Sequence, residues 1–322
     1  MAESNPYLSV VSPVFLAEGI VDELVKRITE EVSKITQDYE IILVEDGSED
    51  KSWQKIEDNC KTDKRIKGIK LSRNFGQHYA ITAGLSESIG DYVIVLDCDL
   101  QENPKYFHEL LKKAKDGFDI VLTVHNNREH GIIKNIFSKS FHRVFNWLIR
   151  NKRLNSGAQY GALSILSRKV VNAYLKINDY HRHYLSIIRW LGYSKTEITI
   201  HHELRFSGKS TYSFRKLISL AIDGIISQTE RLLRFSIYTG FTFALIGFSS
   251  ILYIIYLFYL QGFQSGWAST VVLIIFSTGL ILMSLGIVGI YIGKIFEQSK
   301  NRPYYLIDKT RNLNNNHKKF NE

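Results

Sequence analysis

From Phe235 to Gly293 the chain has no aspartate, glutamate, lysine, arginine or histidine. A soluble pair of helices of that length would carry charge on its solvent face, so the gap excludes an ordinary helical subdomain and indicates a membrane hairpin. Its two arms, about 235–260 and 270–296, each exceed the roughly 20 residues that cross a hydrocarbon core. Cysteine is nearly as scarce: Cys60 and Cys98 are the only two in 322 residues, which excludes a disulfide scaffold and leaves free thiols in a reducing compartment. Dinucleotide and phosphate-loop signatures are missing as well, since no strand is followed by G-x-G-x-x-G or G-K-[ST]. The formal net charge is +9, but the basic residues gather near the apolar segments and not among the strands, which argues against a nucleic-acid partner.

Charge asymmetry orients the hairpin. Arg231 and Arg234 precede the first arm, Lys294, Lys300, Arg302, Lys309 and Arg311 follow the second, and the connecting loop is uncharged, so both termini are expected on the cytoplasmic side of the plasma membrane. At the N-terminus Pro13 and Glu18 interrupt LSVVSPVFLAEGIV, and a cleaved leader is not expected. The expected organisation is a cytoplasmic domain over 1–212, an amphipathic juxtamembrane helix over 213–234, two spans within 235–296 and a tail over 297–322.

The first half alternates Val- and Ile-rich runs with amphipathic stretches, from LSVVSPVF through YEIILVEDGS, RIKGIKLS and YVIVLDCDL to FDIVLTV. Strand then helix, repeated, predicts an α/β fold: a mostly parallel sheet with helices on both faces. Ligands of such sheets bind outside the carboxyl ends of the strands, which here carry Pro13, Phe15, Glu45, Asp46, Arg73, Asn74, Asp97 and Asp99. Two further segments, 132–153 and 213–234, set aromatic and aliphatic residues against Lys and Arg at helical spacing. The second must approach the bilayer and is expected in the headgroup layer; for the first, packing on the domain and headgroup placement stand equal.

Asp97-Cys98-Asp99 ends a buried strand on the predicted ligand edge, with Gln101 beyond it. Hard divalent cations take such oxygen donors, and Mg²⁺ is commonly held by one or two carboxylates plus substrate phosphates. The motif alone would serve equally as a solvated turn. The order and spacing of SVVSPVFLAEG, EIILVEDGSEDKS, LSRNFGQHYAITAGL and DCDLQENP, however, resemble family 2 glycosyltransferases of the GT-A fold. RFSGKSTYSFRKLISLAIDGI, followed by the charge-free hairpin, resembles the branch that moves a sugar from a nucleotide donor to a polyprenyl phosphate, such as dolichyl-phosphate mannose synthases and bacterial undecaprenyl-phosphate glucosyltransferases.

That resemblance implies roles position by position. Asp46 contacts the donor base, with Pro13, Phe15 and Arg73 lining the same pocket. Asp97, Asp99 and Gln101 hold Mg²⁺ or Mn²⁺ against the donor diphosphate. Arg205, Ser210 and Tyr212 match R-x-x-G-x-S-x-Y, in which the arginine lies near the phosphates. Arg128 stands where basic residues meet the acceptor phosphate, helped by Lys134 and Lys139. Asp99, Arg205 and Arg128 are thus the expected catalytic residues. The implied partners are a UDP-sugar, a polyprenyl phosphate, the bilayer and further copies of the chain, to a tetramer by resemblance.

Three departures bear on the chemistry: Glu45 replaces a more usual Asp, His125 a more usual Arg, and Gly161-Ala162-Leu163-Ser164 replaces G-D-F-R. The last removes a candidate catalytic base. A hydroxyl acceptor needs one at neutral pH, whereas a phosphate monoester with second pKa near 6 is already largely dianionic. The loss therefore favours a lipid-phosphate acceptor over a sugar hydroxyl, and the resemblance then implies inverting, metal-dependent transfer, with glucose from UDP-glucose the expected donor, onto undecaprenyl phosphate for cell-envelope glycan modification, including lipopolysaccharide. A family 2 transferase extending a glycan or glycolipid hydroxyl is the alternative. Gly286, Gly289 and Gly293 in the second arm are expected to admit a closely packed helix.

Overall fold

The computed structural model describes residues 7–125, 160–180, 182–201, 231–261 and 266–313. The chain divides into two compact units. One comprises Met1–Gly131, Asn151–Ser210 and Arg302–Glu322, and the other Ile132–Arg150 and Thr211–Asn301.

The first unit is built on β1 (Leu8–Val14), β2 (Tyr39–Glu45), β3 (Ile66–Leu71), β4 (Tyr92–Val95), β5 (Ile120–His125), β6 (Tyr160–Ser167), β7 (Lys195–Ile200) and β8 (Ile307–Arg311). They form one sheet in the order β7-β5-β6-β4-β1-β2-β3-β8. β6 runs antiparallel to β4 and β5, and β8 antiparallel to β3; the remaining pairings are parallel. The predicted mostly parallel α/β sheet is therefore present. Its connecting helices are α1 (Val21–Ser33), α2 (Ser52–Thr62), α3 (Gln77–Glu87), α4 (Phe107–Lys115), α5 (Arg168–Leu175) and α6 (Tyr184–Trp190).

Burial explains why the central strands read as continuous apolar runs. Every residue of β1 and β2 is buried. Leu8, Val10 and Val14 pack with residues of α1, α2 and α4, and Val11 packs on the opposite face with residues of α3, α5 and α6. A sheet covered on both faces has no solvated side on which polar residues could alternate. Each helix supplies one stripe, as α1 does with Val21, Leu24, Val25, Ile28 and Val32. A buried charge in β2, the Glu40 carboxylate, takes Lys67 Nζ at 2.5 Å, Ser9 Oγ at 2.5 Å and the Ile89 N–H at 2.8 Å.

Strand order opens the site. β1 pairs with β2 along its whole length, but with β4 only from Leu8 to Val11. The last bond between that pair is Leu96 N–H to the Val11 carbonyl, 3.0 Å. Beyond it β4 turns away, at the place where Pro13 has no N–H to offer. Because β2 and β3 lie to one side of β1 and β4 to the other, this gap is the topological switch point at which open α/β sheets bind ligands.

β8 was not legible in the sequence, where residues 297–322 read only as a tail. Leu71 pairs with Ile307 and Gly68 with Arg311, with a bulge at Lys70 and Leu71.

In the second unit the described elements are the long helices α7 (Arg231–Gln261) and α8 (Trp267–Ser299), with the rings of Phe243 and Phe276 at 5.3 Å. Among the described residues, one helical stretch, Phe276–Ser299 with mean hydropathy 2.0, is long and apolar enough to cross a membrane. Among the described residues, a Cβ at Gly286, Gly289 or Gly293 would meet nothing within 4 Å. Both amphipathic segments fall outside the described residues, apart from Arg231–Arg234 at the start of α7.

Candidate active site

Beside loop 15–18 after β1, the carboxyl edge carries three further loops, and hydrogen bonds join them around the gap between β1 and β4. The EDGSEDKS stretch after β2 is the first. Gly47 adopts φ +66°, and a Cβ there would lie 2.2 Å from the Arg73 carbonyl carbon, so glycine is required both by the backbone turn and by the Arg73–Asn74 peptide lying against it. Ser48 Oγ accepts the Leu16 N–H (3.0 Å), Ser52 Oγ the Ala17 N–H (2.9 Å), Asp50 the Glu18 N–H (3.1 Å), and Glu18 the Lys51 N–H (3.0 Å). Loop 15–18 is thereby stitched to loop 46–52, which fixes the backbone carrying the exposed Phe15. Glu45 is fully buried and accepts the Ser48 N–H, so its longer side chain shapes this turn from beneath.

Asp46 is 2% exposed, and its two oxygens accept the N–H groups of Phe75 and Gly76, both at 2.8 Å. Burial pushes its carboxyl up to about 6 against the pull of those two bonds. Asp46 thus holds the loop 73–76 in place. Arg73 on that loop is exposed, with its guanidinium 4.2 Å from the centre of the Phe75 ring.

The third loop is DCDLQ. Asp97 Oδ1 accepts Gln77 Nε2 at 2.5 Å, which joins this loop to the start of α3. Leu100, 1% exposed and at φ +58°, turns the chain so that Asp99 Oδ1 accepts the Gln101 N–H at 3.1 Å. The Cys98 thiol is pushed up to about 12, chiefly by burial, while the Phe15 backbone hydrogen-bonds to it. It is a protonated spacer seated against the end of β1, and both it and Cys60, whose thiol burial raises to about 11, are free thiols.

The structure therefore brings Pro13, Phe15, Asp46, Arg73, Asp97, Asp99 and Gln101 to one edge of the sheet. Arg128, Lys134, Lys139, Arg205, Ser210 and Tyr212 lie outside the described residues. Asp97, Asp99 and Gln101 offer oxygen donors on one turn, and among the described residues no group of three or more His, Cys, Asp or Glu side chains could by itself hold a metal ion. Such an incomplete set fits a hard divalent cation whose other positions are taken by diphosphate and water.

Two contributors had no distinct signal in the sequence. Gln77 is one, and Glu102 the other. Glu102 is 4% exposed, and its Oε2 accepts the Leu163 N–H at 2.5 Å. A Cβ on Gly161 would lie 1.7 Å from its Oε1. The carboxylate that follows the DCDLQ turn is thus spent on the backbone of β6, beside Ala162.

The profile of Glycosyl transferase family 2 matches residues 9–175, which contain all of these loops. The chain is a family 2 glycosyltransferase. It is 30% identical over 312 residues to the uncharacterised glycosyltransferase YkcC of Bacillus subtilis, covering 95% of each chain. It is 34% identical over 307 residues to the undecaprenyl-phosphate 4-deoxy-4-formamido-L-arabinose transferase of Salmonella choleraesuis, covering 93% of this chain and 92% of that one. Similar solved structures include the mannosyltransferase PcManGT of Pyrobaculum calidifontis with GDP-Man and Mn²⁺ (TM-score 0.49, 14% identity, 70% of this chain and 64% of that one). Another is glucosyl-3-phosphoglycerate synthase of Mycobacterium tuberculosis with Mn²⁺, UDP and product (TM-score 0.46, 15% identity, 69% and 78%). This glycosyltransferase is thus a transferase with the α/β sheet and carboxyl-edge loops that its sequence implies.

Proposed function

We propose that this glycosyltransferase moves a sugar, glucose from UDP-glucose in the first instance, onto undecaprenyl or another polyprenyl phosphate at the cytoplasmic face of the membrane, with inversion. The observation that carries the reading is the relative named as an undecaprenyl-phosphate sugar transferase, whose match covers 93% of the chain and so extends past the catalytic domain into the apolar helices. Two site features support it. Ala162 supplies no carboxylate, and Glu102 is buried against the β6 backbone, so neither offers the base that a hydroxyl acceptor needs. A phosphate dianion needs none.

In this reading Phe15, Pro13 and Arg73 line the base pocket, with Asp46 fixing the loop that carries Arg73. Asp97, Asp99 and Gln101 would hold Mg²⁺ or Mn²⁺. The cation would neutralise charge growing on the departing diphosphate. Gln77 keeps the Asp97 carboxylate oriented. Arg128, Lys134, Lys139, Arg205, Ser210 and Tyr212 bring the acceptor phosphate beside a donor that is itself negative, a task suited to bidentate arginine. An acceptor oxygen attacks the anomeric carbon from the face opposite the diphosphate; the new C–O bond forms as the old one breaks, and UDP leaves with the electron pair. Positioning supplies much of the rate.

Both α7 and α8 are taken as spans. At 31 and 33 residues each is long enough. After α8 the chain rejoins the first unit through β8, and a chain that leaves and rejoins one folded unit crosses a bilayer an even number of times. Purified full-length protein with Mg²⁺ or Mn²⁺, undecaprenyl phosphate and UDP-glucose is expected to release UDP, and chelation to stop the release. Absence of release with a panel of UDP- and GDP-sugars would overturn the proposal.

A further inference from the structure

We propose that the segment following the hairpin, residues 302–312, is a positioning element of the nucleotide-donor loop 72–77, acting through β8 and the three residues before it. The assignment of that loop to the donor rests on the function proposed above; the mechanical link rests on geometry alone.

The loop is held on both sides. From β2, Asp46 takes the N–H groups of Phe75 and Gly76, and Gly47 lies against the Arg73–Asn74 peptide. From the other side, the pairing of β8 with β3 runs past the end of the strand: after the bulge at Lys70 and Leu71, the Leu306 carbonyl accepts the Ser72 N–H at 2.8 Å. Ser72 is the residue before Arg73. An edge strand that only capped the sheet would stop at β3. This one reaches the first peptide of the loop.

The segment is itself anchored at points that have no other evident purpose. Tyr305 Oη and Ser86 Oγ are 2.8 Å apart, which ties the segment to α3, the helix that begins at Gln77 and so at the partner of Asp97. The guanidinium of the buried Arg182 lies 4.9 Å from the Tyr304 ring, and the ring of the adjacent His183 lies against that of His78, tilted by 49° with centroids 4.4 Å apart. At the far end, Asn312 Nδ2 donates to the carbonyls of Cys60 (2.7 Å) and Ile66 (2.8 Å), and Arg311 pairs with Glu57 at 2.6 Å. Asn312 is at φ +56°, a conformation that asparagine tolerates better than most side chains. Only six residues separate Ser299 at the end of α8 from Leu306. The donor loop is thereby tied, through the chain itself, to the end of the second apolar helix.

The test uses full-length protein in detergent, comparing wild type with a Tyr305→Phe/Asn312→Ala variant and with Arg73→Ala. Binding of UDP and of GDP is measured with Mn²⁺, alongside kcat, donor KM and hydrogen exchange of the peptide spanning 72–77. Losing the hydrogen bonds of Tyr305 and Asn312 is expected to raise the nucleotide Kd and the donor KM roughly three- to tenfold. The double variant should keep kcat within about twofold, and exchange at 72–76 should quicken. Unchanged exchange in a folded double variant overturns the positioning. Faster exchange with unchanged affinity for both nucleotides, where Arg73→Ala does weaken binding, overturns its link to the donor. An Arg73→Ala variant that binds both nucleotides normally overturns the donor-loop assignment instead.

Discussion

Replacing Asp46 with asparagine separates the cost of a buried charge from the work that the charge does. Raising this carboxyl from 3.8 to about 6 means that the ionised form costs the folded protein about 3 kcal/mol at neutral pH, at 1.36 kcal/mol per tenfold. Asparagine removes that cost. It also replaces one of two acceptors with an NH₂ facing a backbone N–H, losing a charge-assisted bond worth about 1.5–3 kcal/mol. The two effects nearly cancel, and D46N is expected to unfold within about 2 kcal/mol of wild type at pH 7. Nucleotide affinity has no such compensation. With one of the Phe75 and Gly76 amides released, Kd for the donor nucleotide should rise about tenfold or more. The pH dependence has a definite sign. Because the folded pKa is raised, the folded state keeps a proton that the unfolded state loses between about pH 4 and 6, so wild-type stability from this group falls as pH rises through that window. D46N lacks the step and should compare worst with wild type near pH 4. Urea unfolding at pH 4.5 and 7, with nucleotide titration on the same samples, measures both. A loss above about 4 kcal/mol at pH 7 with unchanged Kd would refute the assignment of Asp46 to the loop.

Three other outcomes follow from the packing. Glu40→Ala leaves Lys67 buried without its partner and should lower stability by about 3–5 kcal/mol in denaturant unfolding, with E40Q milder. Gly161→Ala places a Cβ 1.7 Å from Glu102 Oε1 and 2.5 Å from Thr123 Oγ1, an overlap expected to cost about 1–3 kcal/mol. Made in a Glu102→Ala background, the same change should cost measurably less, and a double-mutant cycle with zero coupling would contradict the contact. Burial holds His78 down to about 3, so the unfolded state takes up a proton below about pH 6.5 that the folded state refuses. Stability from this group is present above pH 6.5 and declines toward pH 3; a His78→Phe variant should show a shallower acid limb in a pH series of melting curves.

The parts of this glycosyltransferase that the sequence determined are those governed by local periodicity and composition. A Val- and Ile-rich run such as YVIVL has to be buried, the alternation of such runs with amphipathic stretches forces parallel pairing with crossover helices, and the polar residues at run ends must then gather at one edge. An uncharged stretch from 235 to 293 is equally local. Tertiary structure decided what pairs with what. β6 enters the sheet between β4 and β5 in antiparallel sense, and a five-residue piece of the tail becomes its edge, because strand partners are selected by contacts across long separations that leave no mark within either strand. The same holds within the site. The sequence supplied Asp46, Asp97 and Asp99 as carboxylates near a ligand, but only the fold turns Asp46 onto the amides of Phe75 and Gly76, gives Gln77 to Asp97 and buries Glu102 against Leu163. A carboxylate takes whichever donors the completed fold presents at hydrogen-bonding distance, and those donors stand here between 20 and 61 residues away along the chain.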